Sequence, residues 1–125
     1  MNLLLDTHVV LWWLDDPALV SGPARSAIRD QENAVFVSAA TVWEIVIKKA
    51  LGKLDAPDNL ADVLRACQFS ALPVTFEHAL AVRELPFHHH DPFDRMLVAQ
   101  TKVEVLTIVT RDSDILRYAV PHLLA

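Results

Sequence analysis

A chain of 125 residues is long enough to bury one core and too short for two, so a single domain over residues 1–125 is expected. It contains no apolar run of about 18 residues, which excludes a membrane-spanning helix. With 11 basic and 16 acidic side chains the formal net charge is −5, so phosphate cannot be bound by lysine and arginine alone.

The first expected element is a short buried strand, "NLLL", followed by "THVVLWWL" at helical length. The start "MNLLLDTH" has no basic leader before its apolar run, which reads as a mature, cytoplasmic chain. Trp12 and Trp13 face about 100° apart on a helix, so they cannot share one core seam. Either one is core and the other half-buried, or the pair belongs to an interface. "PARSAIRDQ" reads as a second helix, with Ser21 ahead of it and Pro23 in its first turn.

"AVFVS" is the next strand, and "TVWEIVIKKAL" the helix after it, closed by Gly52 where a left-handed cap is wanted. A helix over "NLADVLRAC" follows Asp58. "FSALPV" is a weak strand, broken by Pro73 and so suited to a sheet edge. "FEHALAVREL" is helical and stops before Pro86. In "HHHDPFDRMLVAQTKV", Asp91 is the N-cap and Pro92 the first residue of a helix. "LTIVT" is a core strand and "DSDILRYA" a short closing helix. Apolar strands alternating with helices point to an α/β fold with a parallel sheet covered on both faces.

On this frame Asp6 ends the first strand and Asp112 follows the last. Glu44 lies early in the helix after the second strand, and Asp94 lies in the first turn of the helix capped by Asp91. All four fall at the carboxyl edge of the sheet, where ligands bind in such folds. Each also has a plainer reading. Asp6 and Asp112 can serve as helix caps, and Asp94 suits the positive end of a helix dipole. Glu44 can pair with Lys48 one turn on, a contact worth only about 0.3–0.5 kcal/mol.

Together, four carboxylates in one crevice repel one another, and a bound cation or raised pKa values relieve the strain. Oxygen donors without cysteine suit Mg²⁺ or Mn²⁺ better than zinc or copper. Such a cation would also supply the positive charge that the composition lacks.

The adjacent His88, His89 and His90 point in different directions and cannot all face one ion. No pair of ligands one helical turn apart, as in H-E-x-x-H, is present. They read as a solvated loop, from which one imidazole could touch a substrate phosphate. With only Gly22 and Gly52, neither a dinucleotide-binding G-x-G-x-x-G nor a Walker A loop can be written. No G-x-S-x-G elbow exists. Asp6 stands alone at its strand end, whereas a signalling receiver or a D-x-D phosphatase needs a second acid there. The single Cys67 cannot form an internal disulfide, fits a reducing compartment and reads as a small core residue. Hydrophobic residues make up 53% of the chain, more than so small a core covers, so a partner or a second copy is expected on the excess.

Four segments, "LLLDTHVVLWW", "VSAATVWEIVIKKALGKL", "HDPFDRMLVAQ" and "TIVTRDSDIL", occur in an order that resembles the PIN-domain nucleases. Within that family they are most similar to the VapC-type toxins of bacterial toxin–antitoxin pairs. The resemblance implies a three-layer α/β/α fold with a mainly parallel, roughly five-stranded sheet. It also implies a Mg²⁺- or Mn²⁺-dependent ribonuclease whose ligands and catalytic acids are Asp6, Glu44, Asp94 and Asp112. Asp114 is the alternative fourth acid, or contributes through water. Asp91 would aim Asp94, while Ser38 and Thr110 would hydrogen-bond to the acids or their waters. Lys48, Lys49 and Lys53, with Arg95 and Arg111, are candidate RNA contacts. For the lysines the alternative is a solvated helix end, and for Arg95 a salt bridge in the crevice. The family further implies a small VapB-type antitoxin, a homodimer with Trp12 and Trp13 at an interface, and products with a 5′-phosphate and a 3′-hydroxyl. A catalytically silent binding module on the same fold is the competing expectation.

Overall fold

A computed structural model describes all 125 residues. Five strands form one sheet: β1 (Asn2–Leu5), β2 (Ala34–Ser38), β3 (Ser70–Leu72), β4 (Thr107–Thr110) and β5 (His122–Leu124). Their order is β3-β2-β1-β4-β5, with every neighbouring pair parallel. The expected parallel sheet is therefore present, and the Pro73-limited β3 lies at its edge.

Successive strand residues point to opposite faces, and both faces are apolar. Leu3 and Leu5 join Val35, Val37 and Val109 in one core cluster. Leu4 and Ile108 join the other. The first face is covered by α1 (Thr7–Asp15), α2 (Gly22–Arg29), α3 (Ala39–Ala50) and α4 (Leu60–Ala66), through side chains such as Val9, Ala24, Ile45 and Leu64. The second is covered by α5 (Phe76–Ala81), α6 (Pro92–Val103) and α7 (Ser113–Leu116), with Leu97, Val98 and Ile115 buried there.

Local departures from the sequence reading are small. The helix expected over "FEHALAVREL" tightens into a 3-10 turn at Val82–Glu84, and Pro17–Leu19 forms another short turn. The helix expected over "NLADVLRAC" begins at Leu60, and the Asp58 carboxylate before it accepts from Lys49 Nζ at 2.6 Å. β5 was not visible as a strand, because three residues with an exposed-intermediate-exposed pattern carry no periodic signal.

The chain leaves β1 toward β2 on one side, and later crosses back to place β4 on β1's other side. Ligand crevices open at such a reversal, outside the carboxyl ends of the two strands. Asp6 directly follows β1, and Asp112 lies two residues after β4.

Candidate active site

Asp6 is 2% exposed and stands at the N-cap position of α1, yet its side chain makes no cap bond. Its Oδ2 instead accepts from Thr110 Oγ1 at 2.8 Å. The same Thr110 oxygen accepts from Asp112 N at 3.0 Å, so one buried hydroxyl ties the ends of β1 and β4 together. Asp112 does cap its helix, its Oδ1 accepting from the amides of Asp114 and Ile115. Asp114 sits half exposed, 3.8 Å from Arg117.

Glu44 is buried at 3% exposure, and its Oε2 accepts from Lys48 Nζ at 2.6 Å. The Glu–Lys helical pair thus exists, with its glutamate end buried and its lysine part-exposed. Asp91 Oδ1 accepts from the amides of Phe93 and Asp94, which starts α6 and sets the direction of Asp94. Ser38 is fully buried, and its Oγ accepts from Ala40 N. It therefore caps α3 and makes no bond to a carboxylate. Beneath these acids the hydroxyls of Thr7 and Thr41 meet at 3.1 Å, joining the starts of α1 and α3.

The acids act on one another electrostatically. Burial pushes Asp94 up to about 8, reinforced by the carboxylates of Asp6, Asp91, Asp112 and Glu44. Burial also raises Asp6; the Thr110 bond and His8 oppose this, and Asp112 adds to it. Lys48 is raised by its bond to Glu44 and by the charges of Asp91 and Asp94. No three of these side chains stand close enough together to form a ready-made metal site. Even so, Asp6 Oδ1 and Glu44 Oε1 are buried carboxylate oxygens without any hydrogen-bond partner. Orphaned anionic oxygens cost free energy unless a cation or a proton meets them. The donor set fits a hard divalent ion.

The histidine loop departs from the solvated reading. His90 is exposed, but the His89 side chain is only 12% exposed. Its Nε2 lies 3.3 Å from Asp94 Oδ2 and its Nδ1 2.9 Å from the Tyr118 hydroxyl. Sequence reading missed His89 and Tyr118 because three identical neighbours give no hint of which one turns inward, and Tyr118 stands in no motif.

The basic candidates fare unevenly. Arg95 is 5% exposed, and its guanidinium donates to the carbonyls of Pro86, Val82 and Leu85 and to Tyr118 Oη. It is a buried clamp, neither an RNA contact nor an ion pair of the crevice, because its donors are spent on the preceding loop. Lys49 is engaged by Asp58 and by the Ala56 carbonyl. Lys53 is exposed and makes no ion pair. Arg111 lies over the Trp12 ring at 4.0 Å and donates to the Leu19 carbonyl. Both tryptophans are half-buried: Trp13 packs beside Phe69, with Arg29 over its ring.

A parallel five-stranded α/β/α sandwich with acidic side chains gathered at its β1/β4 reversal is thus in place. Residues 3–121 match the family model of the PIN domain. The chain belongs to the PIN domain family. Over 58 residues, 43% of its length, this PIN domain is 40% identical to Ribonuclease VapC16 of Mycobacterium tuberculosis. That match spans 41% of the relative, less than half of its length. In three dimensions the PIN domain is similar to a chain in the crystal structure of VapBC2 from Rickettsia felis bound to a DNA fragment from their promoter. The TM-score is 0.73 at 12% identity, over 100% of this chain and 99% of that one. It is also similar to a chain of DNA-bound VapBC from Salmonella typhimurium, with a TM-score of 0.69 at 15% identity over 99% and 98%. At such identities the likeness shows the shared fold and nothing finer.

Proposed function

We propose that this PIN domain is a Mg²⁺- or Mn²⁺-dependent endoribonuclease, a VapC-type toxin restrained by a small VapB-type antitoxin. The observation that carries the reading is the pair of partnerless buried oxygens, Asp6 Oδ1 and Glu44 Oε1, beside an Asp94 pushed up to about 8. The local identity to a named ribonuclease and the shared fold with chains of VapBC complexes support it.

Asp6 and Asp94 are the direct ligands in this reading, with Glu44 and Asp112 completing the site or orienting the attacking water. A bound divalent ion supplies charge neutralisation at the phosphoryl oxygens and a water of lowered pKa. Thr110 holds Asp6 from one side and Lys48 holds Glu44 from the other, so each acid keeps one oxygen free for its task. Asp91 keeps Asp94 aimed through the first turn of α6. Attack of water on phosphorus with departure of the 3′-oxygen leaves a 5′-phosphate and a 3′-hydroxyl. Among the lysines and arginines considered for RNA, Lys53 and Arg111 are exposed and free of ion pairs, and Arg111 is engaged by the Leu19 carbonyl, so the cation must offset most of the backbone charge.

The deciding experiment is RNA cleavage with Mg²⁺ by the parent protein and by Asp6→Asn, which keeps size and removes a charge. Cleavage should fall by at least about a hundredfold in the variant, with thermal unfolding retained, and EDTA should abolish it in the parent. Equal cleavage by the two proteins would refute the assignment. A parent that binds RNA or antitoxin without any turnover would instead leave a catalytically silent module.

A further inference from the structure

Asp94 is reached by a chain of hydrogen bonds that begins at a buried cation. Arg95 Nη1 donates to Tyr118 Oη at 3.0 Å. Tyr118 Oη lies 2.9 Å from His89 Nδ1, and His89 Nε2 lies 3.3 Å from Asp94 Oδ2. Donor counting sets the direction. A guanidinium has only donors, so the tyrosine oxygen accepts there and its own proton is free to go elsewhere. The acceptor within reach is His89 Nδ1. An imidazole that accepts at Nδ1 carries its proton on Nε2, which then donates to the Asp94 carboxyl oxygen Oδ2. Every group in the row is satisfied only in this sense.

The loop that brings His89 in is held at several points. Arg95 binds three of its carbonyls or those just before it and lies 4.4 Å from the Phe87 ring. Arg117 Nη1 donates to the His88 carbonyl at 2.7 Å, and the His88 ring meets Tyr118 edge-on at 4.8 Å. A loop built only to connect α5 to α6 would not need a buried arginine, a tyrosine and a second arginine to fix one imidazole.

We propose that His89 is a positioning residue: held as a single tautomer by Arg95 through Tyr118, it engages Asp94 Oδ2 and so determines which oxygen of Asp94 is left for a divalent cation. This rests on Asp94 being a ligand, as proposed above. Carboxylate ligands depend on such supporting bonds, whose loss typically weakens metal binding by about 10–100-fold.

The test uses Mn²⁺ alone as the probe, titrated calorimetrically into the parent and into His89→Ala, His89→Gln and Tyr118→Phe. The Ala variant should bind about tenfold weaker or worse. Gln, whose amide can donate to Asp94, should recover most of the loss, and Tyr118→Phe should fall between parent and Ala. Nitrogen-15 spectra of the metal-free parent should show His89 protonated at Nε2 only, with a mixture of tautomers in Tyr118→Phe. Unchanged Mn²⁺ affinity in His89→Ala, a Gln variant no better than Ala, or a proton on Nδ1 in the parent would each overturn the proposal. A parent that takes up no Mn²⁺ would remove the metal reading together with it. A parent that binds normally beside an equally tight His89→Ala removes this inference alone. Should the Ala variant not fold, the Gln and Phe variants and the spectra decide.

Discussion

At Asp94 a carboxyl with an ordinary value of 3.8 is held up to about 8, first by burial and then by Asp6, Asp91, Asp112 and Glu44. Between those two values the folded protein keeps a proton that the unfolded chain has released. Stability of the metal-free protein must therefore fall as pH rises from about 4 to about 8, and Asp6, raised as well, acts in the same sense. Urea denaturation in EDTA at pH 5 and pH 8 should show the loss. Asp94→Asn should flatten it, and Mg²⁺ should restore stability most at the higher pH, where its ligands need lose no proton. A metal-free protein equally stable at both values would contradict this electrostatic account. The acids themselves were legible from residue type and strand position alone. His89 and Arg95 were not, since the inward turn of one and the burial of the other depend on Tyr118, which is distant in sequence.

Helix ends show what local chemistry can and cannot specify. α3, α4 and α6 each run into a residue with positive φ: Gly52 at 70°, Gln68 at 63° and Val105 at 54°. Each end is closed by an amide reaching back five residues, from Lys53 to Lys48, Phe69 to Leu64 and Leu106 to Thr101. Glycine takes that conformation freely, so the end of α3 was readable. A β-branched residue does not, and nothing near Val105 announces the same turn. Val105 is 82% exposed and gives up little packing. Val105→Gly should accordingly stabilise the protein by about 1 kcal/mol, the left-handed penalty less the entropy of glycine. Urea denaturation reads this directly, and a destabilised variant would show that the strain is relieved some other way.

For the molecule as a whole, the apolar excess expected from composition is visible on the surface. Trp43 is 63% exposed and meets Phe93 edge-on at 5.3 Å, and with Val74 and Met96 these rings line an apolar hollow of about 460 Å³. Phe76, close to Val74 in the chain, is 87% exposed. Trp43 is thus far more open than the half-buried Trp12 and Trp13 that the sequence suggested for an interface. We propose that the homodimer implied by the family resemblance covers this face. Light scattering should then find a dimer for the parent and a folded monomer for Trp43→Lys; a monomeric parent would dismiss the idea.

Strand and helix alternation, the caps at Ser21 and Asp91, the turn at Gly52 and the types of the four acids were set by short-range rules. Such rules act over a few residues, and periodicity, backbone freedom and capping chemistry all lie within that reach. Only the tertiary structure decided that Thr110 and not Ser38 binds an acid, that Arg95 turns away from the acids, and that one of three equivalent histidines reaches Asp94. Those outcomes depend on the strand order β3-β2-β1-β4-β5, which sets β1 directly against β4 from far along the chain. Hydrogen bonds and burial between remote segments have no counterpart in local sequence, because the free energy that selects them exists only once the sheet is assembled.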